Sequence, residues 1–202
     1  PTETVGLKEA AGRILRETIH ADRDVPPFHR VAMDGIAFSM EAVPTGVRQF
    51  QIQGTQAAGQ AQMELSSPTT GCLRVTTGAV LPAACDCIVP IEDVSIDASV
   101  ATLSPHITPK TFDHIHRQGS GCSKNDILLE PGCLMDAPRT SIAASTGRAE
   151  LTVTRQPVIT IFSNGDELVD VDQPVLPHQI RPSNNYAMAA ALRRRGIPLL
   201  PF

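Results

Sequence analysis

Seventeen prolines are spread over the 202 residues of the chain, and they constrain its fold more than any other feature. Proline lacks a backbone N–H and holds the residue before it in an extended conformation, so it interrupts long helices and central strands. With one Tyr and no Trp, the core must be built mainly from Val, Ile, Leu and Ala. The sequence therefore predicts short strands, many turns and an aliphatic core.

Composition excludes several classes of protein. Hydrophobic residues make up 42% of the chain, which is enough for a folded core, and the net charge of -4 argues against binding nucleic acid through phosphate contacts. No signal peptide is recognisable, and no apolar run approaches the ~20 residues of a membrane span. We therefore expect a protein without a membrane or nucleic-acid partner.

The cysteines indicate the compartment. Their odd number, wide spacing and lack of a C-x-x-C pair argue against a disulfide framework or a structural zinc site, which favours a reducing cytoplasm. Cys85-x-Cys87 is open to two interpretations, a metal-binding pair or alternation on a buried strand. The five residues are Cys72, Cys85, Cys87, Cys122 and Cys133.

Apolar spacing predicts the elements of the first half. A helix near the N-terminus, ending by about Thr18, is predicted from one face formed by Leu7, Ala10, Ala11, Ile14 and Leu15. Between about Gln49 and Leu103, β-type runs separated by Gly, Pro, Ser and Asp predict a small, mostly antiparallel β domain. These runs are "FQIQG", "CLRVTTG", "CIVPIEDVSI" and "SVATL".

The last third of the sequence predicts alternating strands and helices. Asp136 is a candidate cap for a helix over residues 137–146, with Pro138 in its first turn and Gly147 after its end. A strand buried on both faces ("PVITIF"), a second helix and a second strand ("IPLLPF") are predicted at 157–162, 184–195 and 197–202. One such unit cannot cover both faces of a parallel sheet. We therefore expect the front part of a larger protein, whose start is also missing because the first residue is Pro1.

Two loops of the first half carry groups that suit chemistry. In "VAMDGIAF", Asp34 stands between apolar residues and before Gly35, so it projects from a tight turn, either as a functional acid or as a residue that bonds its own backbone. Thr76, Thr77 and Gly78 follow a strand and can offer O–H and N–H donors to an oxyanion, although the same residues are common at ordinary strand ends.

A third loop, "SNGDEL", follows the predicted buried strand. Ligands of open α/β sheets bind at the carboxyl ends of strands. Asp166 and Glu167 lie at this position and suit a hard cation such as Mg²⁺. The alternative is a solvated acidic turn.

Taken together, the motifs resemble one family. "AGRIL", "DVPPF…AMDG", "VTTGAVLPAACDCIV", "NDILLEPGCLM" and "VITIFSNGDEL" occur in the order found in the MoeA family, the molybdopterin molybdenumtransferases related to the gephyrin E domain. The resemblance implies an α+β multidomain fold. Its expected parts are an elongated linking region at 1–40 and 122–155, an inserted β-rich domain at 41–121, and the start of a truncated α/β molybdopterin-binding domain at 156–202.

The resemblance also implies an activity. Such an enzyme is cytoplasmic and usually homodimeric, and it works with other molybdenum cofactor synthesis proteins. It takes adenylylated molybdopterin and molybdate, uses Mg²⁺, releases AMP and leaves molybdenum on the dithiolene. The sequence does not distinguish molybdate from tungstate as the substrate.

Site residues follow from the same resemblance. Asp34 matches the catalytic aspartate of the family's "AMDG" loop. The implied metal ligands are Asp34, Asp166 and Glu167, and the implied substrate-binding residues are Thr76, Thr77, Gly78, Ser163, Gly165, Asp166 and Glu167. A metal would neutralise the phosphoanhydride, and Asp34 would either hold that metal or orient water.

Three departures from the family pattern leave alternatives open. Gly121 stands where the family's second functional aspartate would fall, Arg30-Val31 replaces the usual Asn-Ser, and Ile36 replaces an aromatic residue. Loss of a carboxylate from a metal-assisted site is costly, so a non-catalytic molybdopterin-binding or scaffolding paralogue is the second hypothesis. An unrelated domain with chance matches is the third.

Overall fold

The structure, a computed structural model, describes residues 1–199, without the side chains of Pro44 and Thr45. Most of its regular structure is β. The described strands are β1 (Thr2–Gly6), β2 (Ile19–His20), β3 (Arg30–Val31), β4 (Gly35–Phe38), β5 (Gln49–Gln56), β6 (Gly71–Val75), β7 (Cys87–Pro90), β8 (Val94–Asp97), β9 (Val100–Leu103), β10 (Ile115–His116), β11 (Ile127–Leu129) and β12 (Glu150–Thr154). The α-helices are α1 (Ala137–Ser145) and α2 (Ser183–Arg193), and 3₁₀ turns cover Leu7–Glu9, Met40–Thr45 and Ile91–Asp93.

The contacts divide the chain into two units. Ala21–Asp126 forms one, called the β-rich unit below, and Pro1–His20 with the chain from Ile127 onward forms the other, called the terminal unit. The predicted insert at 41–121 lies within the β-rich unit. Residues 21–40, which we expected in the linking region, group with the same unit because β4 is an interior strand of its sheet. The boundaries of the inserted domain and of the α/β domain stay predictions.

The β-rich unit is built around a six-stranded mixed sheet with the strand order β7-β4-β6-β5-β9-β8. Every pair is antiparallel except β5 and β6, which run parallel. The predicted, mostly antiparallel β region is therefore confirmed. A separate antiparallel pair joins β3 to β10 through Val31 and Ile115.

Both faces of this sheet are covered by buried clusters. On β4, Ile36 and Phe38 face one cluster, where Phe38 stacks on Phe50, and Ala37 faces the other. Successive side chains of a strand point to opposite faces, so a fully buried β4 joins two cores. This arrangement explains the run "GIAF", in which no position is polar.

The terminal unit has its own core. β1 pairs antiparallel with β12, β2 pairs with β11, and α1 packs nearby. Helix α1 begins as predicted, because the Asp136 carboxylate accepts a hydrogen bond from the Arg139 backbone N–H at 3.0 Å. Gly147 follows the helix with a φ of 75°. The buried side chains of this core are Ala10, Leu15, Ile19, Leu129, Met135, Ala143, Leu151 and Val153.

The predicted N-terminal helix is wrong. Only Leu7–Glu9 forms a 3₁₀ turn, and Gly12 then takes a φ of 78° that ends any helical path. Ile14 and Leu15 bridge instead to Leu134 and Val153. Several of the apolar residues do line the core, but along an irregular chain, because pairing with strands competes with a short helix of few turns.

The predicted alternation after residue 156 is found only in part. Helix α2 is present, and Gly196 follows it with a φ of 69°. The strand at 157–162 is reduced to one parallel bridge between Ile159 and Leu199, and it is not buried on both faces, since Val158 and Phe162 are 58% and 86% exposed. A single bridge does not make a strand. Residues 200–202 of the second predicted strand lie outside the described residues.

Candidate functional site

The "AMDG" turn connects β3 to β4 in the β-rich unit, and backbone hydrogen bonds hold it on several sides. The Ala32 N–H donates to the His114 carbonyl at 2.9 Å, and the Ile91 N–H donates to the Asp34 carbonyl at 3.0 Å. Val31 exchanges hydrogen bonds with the "TTGA" loop, donating to Ala79 and accepting from Gly78, both at 2.9 Å. The fold therefore places two of the three predicted loops side by side.

The "TTGA" loop needs its glycine. It follows β6, and the Ala79 N–H turns back to the Thr76 carbonyl at 3.0 Å. Gly78 sits within this turn at a φ of 88°, a left-handed conformation that side-chain-bearing residues rarely adopt. Its position directs the Thr77 backbone N–H and hydroxyl toward the "AMDG" turn.

Two hydrogen bonds join Asp34 of the "AMDG" turn to Thr77 of the "TTGA" loop. The Asp34 Oδ1 atom accepts from both the backbone N–H and the hydroxyl of Thr77, each at 2.7 Å. These two bonds, the backbone one first, lower the pKa of Asp34 below its ordinary value, because they favour the charged form. The carboxylate is therefore ionised at neutral pH. It bonds a residue 43 positions away in sequence rather than its own backbone, so the simple Asx-turn interpretation is wrong.

Gly35 is required for a different reason from the one its position suggests. It is the first residue of β4, and its φ is not in the left-handed region. A Cβ atom placed on it would lie 2.0 Å from the Val89 carbonyl oxygen on β7. Glycine is needed because β7 approaches the backbone closely, and this approach fixes the start of β4 next to Asp34.

A cavity of about 250 Å³ opens beside Asp34. Its lining includes the charged residues Asp34 and Arg74 and the hydroxyl-bearing residues Thr55 and Thr76. Ile91 supplies an apolar wall. Thr55 and Arg74 are functional candidates that the sequence reasoning missed. The sequence signal for Arg74 was a cation within an otherwise apolar strand run, "CLRV".

The third predicted loop lies in the terminal unit. The Leu168 N–H donates to the Gly165 carbonyl at 3.1 Å, which closes a turn carrying the exposed side chains of Asp166 and Glu167. The Ser163 hydroxyl donates to Oδ1 of the buried Asn185, which the sequence reasoning also missed. A cavity of about 260 Å³ adjoins this pair, lined by Ser163, Leu168, Val169, Asp170, Pro182, Asn185 and Tyr186.

The loop that carries Gly121 is held against the segment before the "AMDG" turn. The Gly121 N–H donates to the Val25 carbonyl at 2.8 Å, and a Cβ on Gly121 would lie 3.1 Å from that oxygen. A side chain would therefore need a small shift at this position. Nearby, the Asp24 carboxylate accepts from the Lys124 backbone N–H and the Gln118 side chain, both at 2.9 Å. These two bonds lower the pKa of Asp24.

Three of the five cysteines, Cys72, Cys85 and Cys87, are buried free thiols. Burial raises the pKa of the Cys72, Cys85 and Cys87 thiols to about 12, so they remain protonated and unreactive. Both Cys85 and Cys87 are buried, but only Cys87 lies on a strand, β7, so the interpretation as a buried strand holds for Cys87 and not for Cys85. Within residues 1–199, no three or more His, Cys, Asp or Glu side chains are grouped to hold a metal ion.

The predicted magnesium ligands, Asp34 with Asp166 and Glu167, stay a prediction. Asp34 by itself is suited to Mg²⁺, because it is a charged oxygen donor whose Oδ2 atom has no hydrogen bond within residues 1–199. Mg²⁺ is usually held by one or two carboxylates and completed by substrate phosphates and water. No helix in the described range is both long and apolar enough to cross a membrane.

Comparison with known proteins gives a consistent result. Residues 1–147 match the family described as the MoeA N-terminal region (domain I and II). A molybdopterin molybdenumtransferase of Synechocystis sp. is 39% identical over 194 residues, which are 96% of this chain and 49% of the relative. One from Bacillus subtilis is 31% identical over 98% of this chain and 47% of the relative. The chain thus spans about half the length of these curated relatives.

Solved structures agree on the fold. The molybdopterin biosynthesis moeA protein of Pyrococcus horikoshii OT3 superposes with a TM-score of 0.82 at 23% identity, over 99% of this chain and 54% of that one. A second structure of a Pyrococcus moeA protein gives a TM-score of 0.79 at 24% identity, over 99% and 51%. The family match over residues 1–147 and the curated relatives, which cover 96% to 98% of this chain, exclude an unrelated domain with chance motifs.

Proposed function

Because the chain belongs to the MoeA family, we propose that it works in molybdenum cofactor biosynthesis as part of a molybdopterin molybdenumtransferase. In the proposed reaction, adenylylated molybdopterin and molybdate give the molybdenum-loaded dithiolene and AMP. The observation that carries the proposal is the Asp34–Thr77 junction, which unites the "AMDG" and "TTGA" loops around one ionised carboxylate.

The geometry favours one of the two roles considered for Asp34. A general base works best when its pKa lies near the operating pH. The pKa of Asp34 is lowered instead, so the carboxylate is a poor proton acceptor at neutral pH and a good ligand for a cation. With Oδ1 bonded to Thr77, Oδ2 is the atom available for that purpose. Bound Mg²⁺ would supply charge neutralisation at the phosphoanhydride.

The other residues keep their proposed roles. Thr77 positions Asp34, and Thr76 and Gly78 shape the loop beside it. In the terminal unit, Ser163, Gly165, Asp166 and Glu167 are proposed to bind the molybdopterin substrate, with the two acids as further metal ligands. A homodimer, cytoplasmic location and cooperation with other cofactor synthesis proteins belong to the same proposal.

Replacing Asp34 tests the proposal directly. In the longest form of the protein that the gene encodes, Asp34→Asn should lower molybdenum insertion by at least about 100-fold, because groups of a metal-assisted site act as a unit. Reconstitution of an apo-molybdoenzyme, supplied with adenylylated molybdopterin, molybdate and Mg²⁺, measures the rate. Asp97→Asn, an exposed aspartate at the end of β8, is the matched control and should keep the full rate. Wild-type insertion by Asp34→Asn, with unchanged circular dichroism, would refute the site.

One observation favours a second function. Gly121 offers no carboxylate, and its close approach to Val25 leaves little room for one without a local shift. A scaffolding paralogue would bind molybdopterin without converting it. Binding measured by calorimetry beside the same reconstitution assay separates the two functions. Tight binding with no insertion in the unmodified protein would favour the scaffold.

A further inference from the structure

The cavity beside Asp34 has a cation on the same sheet face as the carboxylate. Arg74 lies on β6, in register with Ile36 on β4 and with Thr55 on β5. Continuing the β4–β6 register by one residue beyond the pair Gly35 and Val75 places Asp34 opposite Thr76, on the face that carries Ile36 and Arg74. The cavity is lined by Asp34, Thr55, Arg74 and Thr76, together with Ile91.

The Arg74 guanidinium is free within the described residues. Its side chain is exposed at the cavity, and it takes part in none of the ion pairs or side-chain hydrogen bonds found within residues 1–199. Arg48 shows the contrast, since its guanidinium donates to the Ser104 and Ile107 carbonyls. No ion pair joins Arg74 to Asp34 within residues 1–199, so the cation and the carboxylate lie at one cavity without direct contact.

We propose that this cavity binds a tetrahedral oxyanion and that Arg74 is its anion-binding residue. A guanidinium presents paired N–H donors that match two oxygens of such an anion. The Thr76 hydroxyl accepts from the Ala58 N–H at 3.0 Å and so has its own hydrogen left to donate. The inference rests on the proposed function, in which two such groups occur, a phosphate of the adenylylated substrate and molybdate.

Because Arg74 and Asp34 carry opposite charges, removing each charge should change the affinity for an anion in opposite directions. Arg74 attracts an oxyanion, while the bare Asp34 carboxylate in the same cavity repels it. Without a divalent cation, Arg74→Gln should weaken binding of inorganic phosphate, AMP or molybdate by about 10- to 100-fold, as expected for loss of charge-assisted hydrogen bonds. Asp34→Asn keeps the Oδ1 acceptor for Thr77 and should strengthen binding several-fold. Both effects together place the anion in this cavity.

Isothermal titration calorimetry of the chain with each of these three anions measures the effects. Arg23→Gln is the matched control, because Arg23 is an exposed arginine of the same unit whose one ion pair within residues 1–199 is with the neighbouring Asp22. It should bind as the unmodified chain does. Arg74→Lys keeps the charge but not the paired donors and should bind with intermediate affinity, which separates anion binding from a folding defect.

Competition between the anions also shows whether the cavity binds the phosphate of the substrate or the metal oxyanion. Displacement of bound phosphate by AMP, but not by molybdate, assigns the cavity to the substrate phosphate, and the reverse assigns it to the metal oxyanion. Equal affinities for Arg74→Gln and the unmodified chain, or no binding of any of the three anions, would overturn the inference. Failure of molybdenum insertion would leave the Arg74 dependence in place, so the two proposals fail independently.

Discussion

The two regions that carry the candidate loops are held in very different ways. The "AMDG" turn is fixed by hydrogen bonds to His114, Thr77 and Ile91, next to a strand buried between two clusters. The "SNGDEL" segment is joined to the described chain mainly by single-residue bridges, such as Leu168 to Ile180. In the β-rich unit the position of the functional carboxylate is thus part of the folded core. In the terminal unit the candidate acids Asp166 and Glu167 are exposed, and their positions do not depend on the buried core in this way.

Replacing one phenylalanine in each region should show the largest difference. Phe38 is completely buried and stacks on Phe50 with ring centroids 4.5 Å apart, so Phe38→Ala should lower the free energy of unfolding by about 3–5 kcal/mol. Phe162 is 86% exposed, so Phe162→Ala should change it by no more than about 0.5 kcal/mol. Urea unfolding followed by circular dichroism measures both, since the chain has no tryptophan for fluorescence.

A larger loss of stability in Phe162→Ala than in Phe38→Ala would contradict the difference between the two regions. If Phe162→Ala destabilised the chain as much as Phe38→Ala, the segment around residue 162 would have to pack in a way that the described contacts do not contain. The two units unfold in separate steps if their stabilities differ enough. Amide exchange of β4 and of α2 then shows which step each substitution moves.

Local signals in the sequence predicted much of the fold, and they failed where contacts distant in sequence decide. Helix α1 was predictable from local signals, because Asp136 caps its start and Gly147 follows its end. The N-terminal helix was not, because pairing of Ile14 and Leu15 with distant strands replaced it. The strands from β5 to β9 were predictable from alternating and apolar runs between turn residues.

The candidate site shows the same limit. The residue types of the "AMDG" and "TTGA" loops pointed to a site, but their junction depends on the register of β4 with β6 and on pairing with β3. Spacing along one sequence contains no information on that register. Arg74 was missed for this reason, since its place beside Asp34 follows from strand pairing alone. Gly35 was noticed, but the reason for it lies on β7.

Two glycines next to candidate acids, one in each unit, provide a second test of how differently the two regions are held. Gly35→Ala places a Cβ 2.0 Å from the Val89 carbonyl oxygen, and backbone must move, so the free energy of unfolding should fall by at least about 1–3 kcal/mol. At Gly165 the three atoms nearest the added Cβ belong to the end of the exposed Glu167 side chain, which can rotate away. Gly165→Ala should therefore change stability by less than about 1 kcal/mol.

Urea midpoints of both variants, with the chemical shift of the Asp34 carboxyl carbon, check this prediction. The shift should move in Gly35→Ala, because the start of β4 sets the position of Asp34, and should stay unchanged in Gly165→Ala. A tolerated Gly35→Ala, with an unmoved Asp34, would show that β4 and β7 can separate and that the turn is not fixed by the sheet.

The smallest expected effect concerns the charge of Asp34 itself. Thr77→Val removes the hydroxyl donor and keeps the backbone N–H donor, so the pKa of Asp34 should rise only part of the way toward its ordinary value. A lowered pKa in the folded state stabilises the fold above the unfolded-state pKa, and this contribution is lost as pH falls through the folded-state pKa. Below about pH 4, acidification should therefore lower the free energy of unfolding by less in Thr77→Val than in the unmodified chain. Carbon-13 titration of Asp34 measures the pKa, and Thr76→Val is the matched control, because its hydroxyl bonds the Ala58 N–H and not Asp34. An equal shift in both variants would mean that the general polarity of the loop, rather than the Thr77 hydroxyl, holds the carboxylate in its charged form.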